Sequence, residues 1–321
     1  MSASALDVIE ADPAHAAEVV EVIHRAFAAR PALDPPSTAA LETVESVATT
    51  LATAGGLMAL RRGRVVGAML FDESRPGLLG WRRVSVDPVG RDRGVATAMV
   101  GVAEDIAEDR KKDGVWLHVR EELPENFRFW SRLKYVAASQ NGSTIEMAKT
   151  LWLAREVPDV DAMHELARRV AALVKAGDVL VLTGDLGAGK TNFTQGLGDA
   201  LGVRGPITSP TFVLSREHPN LGDGPALVHV DAYRLGGAAE LDDIDLDATV
   251  ASSVTVVEWG EGLAEQLSDS WLSLHIEVRH GRESDPQGVY CGRESDEMRV
   301  VSIRPHGPRW IGVPLRSSIL A

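Results

Sequence analysis

The hydrophobic and polar positions change their period along the chain, and the changes divide it near residue 150. In the first half, Leu6 to Glu10 reads as a strand. Pro13 to Arg30 follows as a helix, with Val19, Val22, Ile23 and Phe27 at helical spacing. Leu57 to Phe71, with Arg62-Gly63 at its middle, reads as a hairpin. A strand from Trp81 to Val86 meets Asp87-Pro88, a long helix runs from about Gly94 to Lys111, and Val115 to Val119 forms the next strand. This succession predicts a mixed sheet with flanking helices.

The second half opens with a helix from Val160 to Lys175, apolar at Met163, Leu166, Val170, Leu173 and Val174, which stops at Ala176-Gly177. Four strands are expected after it, at Val179 to Thr183, Phe212 to Arg216, Ala226 to Val230 and Val254 to Val257. The strongly apolar ones suit a buried, mostly parallel sheet. Two more strand-like runs, Leu272 to Val278 and Met298 to Ile303, flank a polar stretch in which Gly281-Arg-Glu-Ser-Asp285 recurs as Gly292-Arg-Glu-Ser-Asp296. Two copies do not make a solenoid, so the duplication reads as a surface loop. The link around Thr150 to Asp159 contains Pro158 but no Gly/Ser run. The resulting division is an α/β protein with domains at 1–150 and 151–321.

Length and composition agree with this picture. At 321 residues the chain exceeds what one core usually serves, and 45% apolar with 25% charged residues is ordinary for globular domains. Residues 1–150 carry 18 basic against 21 acidic side chains and the remainder 15 against 25, so both halves are acidic. Acidic surfaces repel phosphodiester backbones, which argues against either half holding nucleic acid alone. The chain shows neither a signal-peptide pattern nor an apolar run of bilayer length, and a cytoplasmic protein without a membrane role is expected. Cys291 is the only cysteine, which excludes intrachain disulfides and thiolate metal clusters.

Gly184-Asp185-Leu186-Gly187-Ala188-Gly189-Lys190-Thr191 is a full GxxxxGK[ST] pattern, directly after a Val/Leu strand and before a helix from Asn192 to Leu201. Glycines let such a loop curl until successive N–H groups point at phosphate oxygens, and the helix N-terminus adds partial positive charge. Lys190 is then expected to neutralise the terminal phosphates and Thr191 to ligate Mg²⁺. Two later strands run into Asp231 and Glu258, so both carboxylates are expected above the carboxyl edge of the sheet, where open α/β folds bind ligands. The hydroxyls of Thr208-Ser209-Pro210-Thr211 suit a loop that senses the terminal phosphate.

GDLGAGKTNF (184–193), TSPTFVL (208–214), HVDAYRL (229–235), the acidic LDDIDLD (241–247) and VVEWGE (256–261) occur in the order found in the TsaE family, which the second half resembles over nearly all of residues 157–310. The polar insertion around 281–296 departs from the family pattern. The resemblance implies an ATPase that assists TsaD and TsaB-like proteins in forming threonylcarbamoyladenosine in ANN-decoding tRNA, meeting the tRNA through that complex. It implies an ATP site made of residues 184–191 with Asn192, catalytic roles for Lys190, Asp231, Glu258 and Thr211, and Mg²⁺ held by Thr191 and Glu258. Two other readings of a P-loop stay open. One is a docking module switched by nucleotide. The other is a small-molecule kinase, against which no arginine-rich lid follows the P-loop helix.

In the first half, Val84-Ser85-Val86 leads into Arg91-Asp92-Arg93-Gly94-Val95-Ala96 and a helix, a strand–turn–helix suited to a pyrophosphate. With Asn126-Phe-Arg-Phe-Trp-Ser-Arg-Leu-Lys-Tyr135, it resembles the Gcn5-related N-acetyltransferases (GNAT) over about Leu6 to Thr150. The resemblance implies acetyl-CoA held through the backbones of Val84 and Val86, by Arg91, Asp92, Arg93, Gly94, Val95 and Ala96, and near Asn126. Trp130 stands where many relatives have the tyrosine that protonates the leaving thiolate, and an indole N–H is too weak an acid to replace it. Lys134 replaces the usual glycine. An acid supplied by Tyr135 or a water, or a domain that binds CoA without acetylating, are the routes this leaves.

Overall fold

The computed structural model describes residues 6–90, 94–210, 214–234, 247–262, 266–280 and 297–321. The chain forms two compact units, Met1–Leu151 and Trp152–Ala321, each built on its own seven-stranded mixed sheet.

In the first unit, β1 (Leu6–Glu10), α1 (Ala16–Ala28) and α2 (Val44–Thr53) precede an antiparallel run of β2 (Gly56–Arg61), β3 (Arg64–Asp72) and β4 (Leu78–Val86). Then come α3 (Val95–Asp109), β5 (Gly114–Arg120), α4 (Pro124–Arg132), β6 (Val136–Asn141) and β7 (Thr144–Thr150), and the sheet order is β1-β2-β3-β4-β5-β7-β6. Both faces are covered. Val19, Ile23, Val47 and Leu51 of α1 and α2 pack on Met58 and Leu70, while Met99, Ala103 and Trp130 of α3 and α4 pack with Leu79, Leu117 and Met147 on the other side. Periodicity predicted most of these elements. It did not predict α2, whose weaker apolar stripe buries only Val47 and Leu51.

β4 and β5 are the one parallel pair in this sheet, and they pair only from Leu78↔Gly114 to Trp81↔Leu117. Beyond that point β4 stays with β3 and β5 with β7, so the two strands part and leave a split in the sheet. On the β3 side the register shifts between Ala68 and Leu70, and Arg83 takes a positive φ of 52°. The Arg30 guanidinium donates to the Val84 carbonyl at 3.1 Å.

The second unit starts with β8 (Leu153–Val157) and α5 (Val160–Ala171), followed by β9 (Val179–Thr183), α6 (Lys190–Leu201), β10 (Ser215–His218), β11 (Ala226–Asp231) and β12 (Ser253–Glu258). The long strands β13 (Trp271–His280) and β14 (Glu297–His306) complete a sheet ordered β10-β11-β12-β9-β13-β14-β8. Its four central strands, β11, β12, β9 and β13, are parallel. α5 starts at Asp159, whose carboxylate caps the Ala162 N–H at 2.8 Å, and it buries Met163, Leu166 and Val170. α5 and α6 together cover Leu180, Leu182, Val254 and Val256. They approach closely because Gly196 has no side chain: a Cβ there would stand 2.8 Å from His164 Cα.

Two sequence expectations are corrected in this unit. The link after Thr150 contains a strand, β8, which pairs with β14 from Val157↔Arg299 to Leu153↔Ile303. Of the strand expected from Phe212 to Arg216, Phe212 and Val213 lie outside the described residues, and Ser215 and Arg216 begin β10, antiparallel to β11 at the edge of the sheet, where its polar residues suit exposure rather than a buried parallel position. The duplicated Gly-Arg-Glu-Ser-Asp copies lie outside the described residues.

Tyr135 closes the core of the first unit. Its phenol accepts from Trp81 Nε1 at 2.7 Å and donates to Glu104 at 2.9 Å, and Lys149 pairs with the other oxygen of Glu104. Burial, reinforced by the Glu104 charge, pushes the phenol well above its ordinary pKa. A raised folded pKa means that this contribution to stability is complete below the unfolded value and is lost as pH rises past it. Alkaline titration should therefore show one of the three tyrosines withholding its phenolate absorbance until native Trp fluorescence is lost. Tyr135→Phe should abolish that withheld fraction, and a Tyr135 phenolate in the native state would contradict the assignment.

Candidate functional site

The carboxyl ends of β9, β11 and β12 gather the residues singled out in the second half. β9 ends in Thr183 and the chain turns through Gly184, Gly187 and Gly189, all at positive φ, before Lys190 begins α6. Gly184 is required twice over. Its φ is 135°, and a Cβ at that position would fall 2.3 Å from the Ile276 carbonyl of β13. Gly189 is the N-cap, and its carbonyl receives the Phe193 N–H at 2.9 Å, so the first-turn amides of α6 are left facing the loop. From below, the Arg299 guanidinium on β14 donates to the Ala188 carbonyl at 3.1 Å.

Lys190 is buried and folds back over this loop, donating to the carbonyls of Gly184 at 2.8 Å and Asp185 at 2.9 Å. Its ammonium lies 3.8 Å from the Trp259 ring centroid. Desolvation holds its pKa below the ordinary lysine range, against the opposing pull of Glu258, Asp231 and Asp185. Trp259 is itself held at a positive φ of 61° by its N–H bond to the Leu182 carbonyl, and Tyr233 packs against its ring. The contact of Trp259 with Lys190 depends on a backbone conformation that the one-dimensional pattern does not signal.

The two carboxylates stand side by side, since Asp231 and Glu258 are direct partners in the parallel pairing of β11 with β12. Thr191 Oγ1 donates to Glu258, at 3.0 Å from one oxygen and 3.4 Å from the other. Asp231 accepts from the Ser209 hydroxyl at 3.0 Å and from the Tyr233 N–H at 3.1 Å. Both carboxylates are buried. A hydroxyl and carboxylates are hard oxygen donors of the kind Mg²⁺ takes, one or two from protein and the rest from phosphate and water. No group of three or more His, Cys, Asp or Glu able to hold a metal occurs among the described residues.

The remaining predicted residues fall less tidily. Asn192 is half-buried on the first turn of α6, and Leu186 is exposed at the loop tip. Thr211 lies outside the described residues, as do Arg91, Asp92 and Arg93 of the first unit. There, Gly94 is the left-handed N-cap of α3 at φ 74°, with Val95 and Ala96 on the first turn. Val84 and Val86 lie on β4 beyond the point where it leaves β5. Asn126 is half-buried on α4. Trp130 and Tyr135 are both core residues, packed edge to face at 4.9 Å. Of the two acids the sequence leaves, Tyr135 or a water, the Tyr135 phenol is buried and engaged by Trp81 and Glu104.

With a glycine loop leading from a parallel strand into a helix, and metal-compatible oxygens on the neighbouring strands, the second unit is a P-loop nucleotide-binding domain. Residues 157–285 match the family described as "Threonylcarbamoyl adenosine biosynthesis protein TsaE", and residues 23–135 match the "Acetyltransferase (GNAT) family". A tRNA threonylcarbamoyladenosine biosynthesis protein TsaE from Streptomyces coelicolor is 53% identical over 149 residues, covering 46% of this chain and 93% of that protein. The protein of the same name from Mycobacterium bovis is 49% identical over 128 residues, covering 38% and 76%. The chain belongs to the TsaE family, with a GNAT-family region ahead of that domain. Among solved structures, Bacillus subtilis YdiB is 28% identical, covers 52% of this chain and 94% of that one, and has a TM-score of 0.38. The PaiA N-acetyltransferase of Thermoplasma acidophilum, in complex with coenzyme A, is 13% identical, covers 46% and 99%, and has a TM-score of 0.42.

Gly184 gives a direct test of the loop geometry. Gly184→Ala should cost about 3 kcal/mol through strain and the clash with backbone, and should abolish nucleotide binding. Denaturant unfolding and fluorescent-nucleotide titration check the two effects, and wild-type binding by this variant would contradict the described loop.

Proposed function

We propose that the second unit binds and hydrolyses ATP in the synthesis of tRNA threonylcarbamoyladenosine, working with TsaD and TsaB-like proteins that hold the tRNA. The observation that carries this reading is the bond from Thr191 to Glu258 beside the glycine loop. It sets a hydroxyl and a carboxylate together one residue from the buried Lys190. The acidic balance of this half supports a partner as the holder of RNA.

In this reading the loop amides and the first turn of α6, including Asn192, receive the phosphates. Lys190 exchanges its two loop carbonyls for oxygens of the terminal phosphates, and the Trp259 ring keeps water from its ammonium. Thr191 and Glu258 would hold Mg²⁺, which when bound would neutralise charge on the phosphates. Asp231, fixed by Ser209 and the Tyr233 amide, orients the attacking water or the metal's water shell, and Thr211 senses the terminal phosphate. Positioning and electrostatics supply most of the rate in phosphoryl transfer, so removing one cation from the loop acts chiefly on turnover. Lys190→Ala should lower ATP hydrolysis about 10²- to 10³-fold without unfolding the chain. Circular dichroism with a phosphate-release assay measures this, and cells depleted of their own TsaE should regain tRNA modification with the wild-type chain but not with the variant. Undiminished hydrolysis by Lys190→Ala would overturn the assignment.

The first unit reads as an acyl-CoA-binding domain that works in the cytoplasm with the second. The split between β4 and β5 supports this, because it leaves the β4 edge at Val84 and Val86 without β5 as a strand partner, so that an extended amide-bearing arm could pair there once it displaces the Arg30 guanidinium from the Val84 carbonyl. The α3 N-terminus at Gly94 to Ala96 suits the pyrophosphate, together with Arg91, Asp92 and Arg93. Asn126 lies on the helix that follows β5, near the arm in this reading. With Trp130 and Tyr135 both in the core, acetyl transfer would use an acid from solvent. Calorimetry with acetyl-CoA should show one-to-one binding that a charge reversal at Arg91 and Arg93 weakens; absence of heat at high ligand concentration would make this unit a scaffold.

A further inference from the structure

The oxygens at the end of the second sheet rest on a residue that the reading above does not use. His229 stands two positions before Asp231 on β11, fully buried, with Nε2 2.8 Å from the same Glu258 oxygen that receives Thr191 at 3.0 Å. An ionised carboxylate only accepts, so Nε2 is the nitrogen that carries the hydrogen. The other nitrogen, Nδ1, is buried and has no hydrogen-bond partner among the described residues. On the sheet, His229 is the register partner of Val256 on β12 and lies near His218 of β10, and Glu258 is its one hydrogen-bond partner among the described residues. Leaving a buried polar atom unpaired is unfavourable, and a leucine would fill the site without that cost. Packing alone does not account for an imidazole here. Its one bond to Glu258 does.

We infer that His229 is a positioning residue that fixes the Glu258 carboxylate for a divalent cation bound with nucleotide. Glu258 ends a strand, and its side chain would otherwise turn about its own bonds. The His229 N–H from the side of β11 and the Thr191 hydroxyl from α6 meet on one oxygen and hold the carboxylate in one orientation. Partners of this kind behind a metal ligand typically govern about 10- to 100-fold in metal affinity. The inference rests on the reading of Thr191 and Glu258 as the cation's protein ligands.

The experiment measures how much Mg²⁺ tightens nucleotide binding, which does not require turnover. Affinity for a fluorescent ADP is titrated with the full chain, in Mg²⁺ and in EDTA, for wild type, His229→Leu, His229→Gln and Glu258→Gln. Wild type should bind more tightly with Mg²⁺. His229→Leu should lose about tenfold of that gain while its affinity in EDTA stays unchanged. His229→Gln, whose amide donates from near the place of Nε2, should restore most of the gain, an outcome that a volume effect would not produce. If the leucine variant fails to fold, His229→Asn replaces it, since its shorter amide falls short of Glu258. Full Mg²⁺ gain in His229→Leu or His229→Asn overturns the inference and leaves the site reading standing, as does failure of His229→Gln to regain it. A Glu258→Gln variant that keeps the full gain overturns the ligand reading itself.

Discussion

Parallel register is the constraint on which the second unit depends. Because β11, β12 and β9 run in the same direction and end together, Asp231, Glu258 and the start of the glycine loop reach one edge of the sheet without any long side chain having to find another. α6 then completes the arrangement from above, since a helix that begins at the loop places Lys190 and Thr191 one residue apart over those ends. The bond between Thr191 and Glu258 ties helix to sheet, so the same contact that organises the chemistry also closes one end of the core beneath it.

Much of this was legible in the sequence, and the reasons differ by element. The loop and its lysine could be read because glycine spacing reports backbone conformation directly, as the positive φ values of Gly184, Gly187 and Gly189 attest. The apolar strands β9, β11 and β12 could be read because burial on both faces leaves an unbroken hydrophobic run. β8 and β10 are edge strands in which half or more of the positions meet solvent, and their sequences carry little periodicity to find. His229 sat inside a recognised motif, yet its bond to Glu258 joins residues 29 apart in sequence. Nothing local predicts such a pairing.

The first unit shows the complementary case, in which a departure from a family pattern acquires a physical meaning only in three dimensions. Lys134 occupies a left-handed turn at φ 68°, the conformation that explains why relatives favour glycine there. The tyrosine that follows it turns inward to Trp81 and Glu104. The substitution of Trp130 for a catalytic tyrosine therefore coincides with an aromatic core in which neither ring is left for acid chemistry.

The strand β8 has a practical bearing on how the halves are separated. All but its last residue lies ahead of residue 157, where the match to the TsaE family begins, yet it supplies the outermost hydrogen-bonded row of that domain's sheet. A fragment begun at residue 157 and run to the end of the chain would lose all of this row but Val157 and bare the β14 backbone from Val300 to Ile303, a sticky edge that invites self-association. Dissection of the two units is safer at Trp152, where the second compact unit and its complete sheet begin.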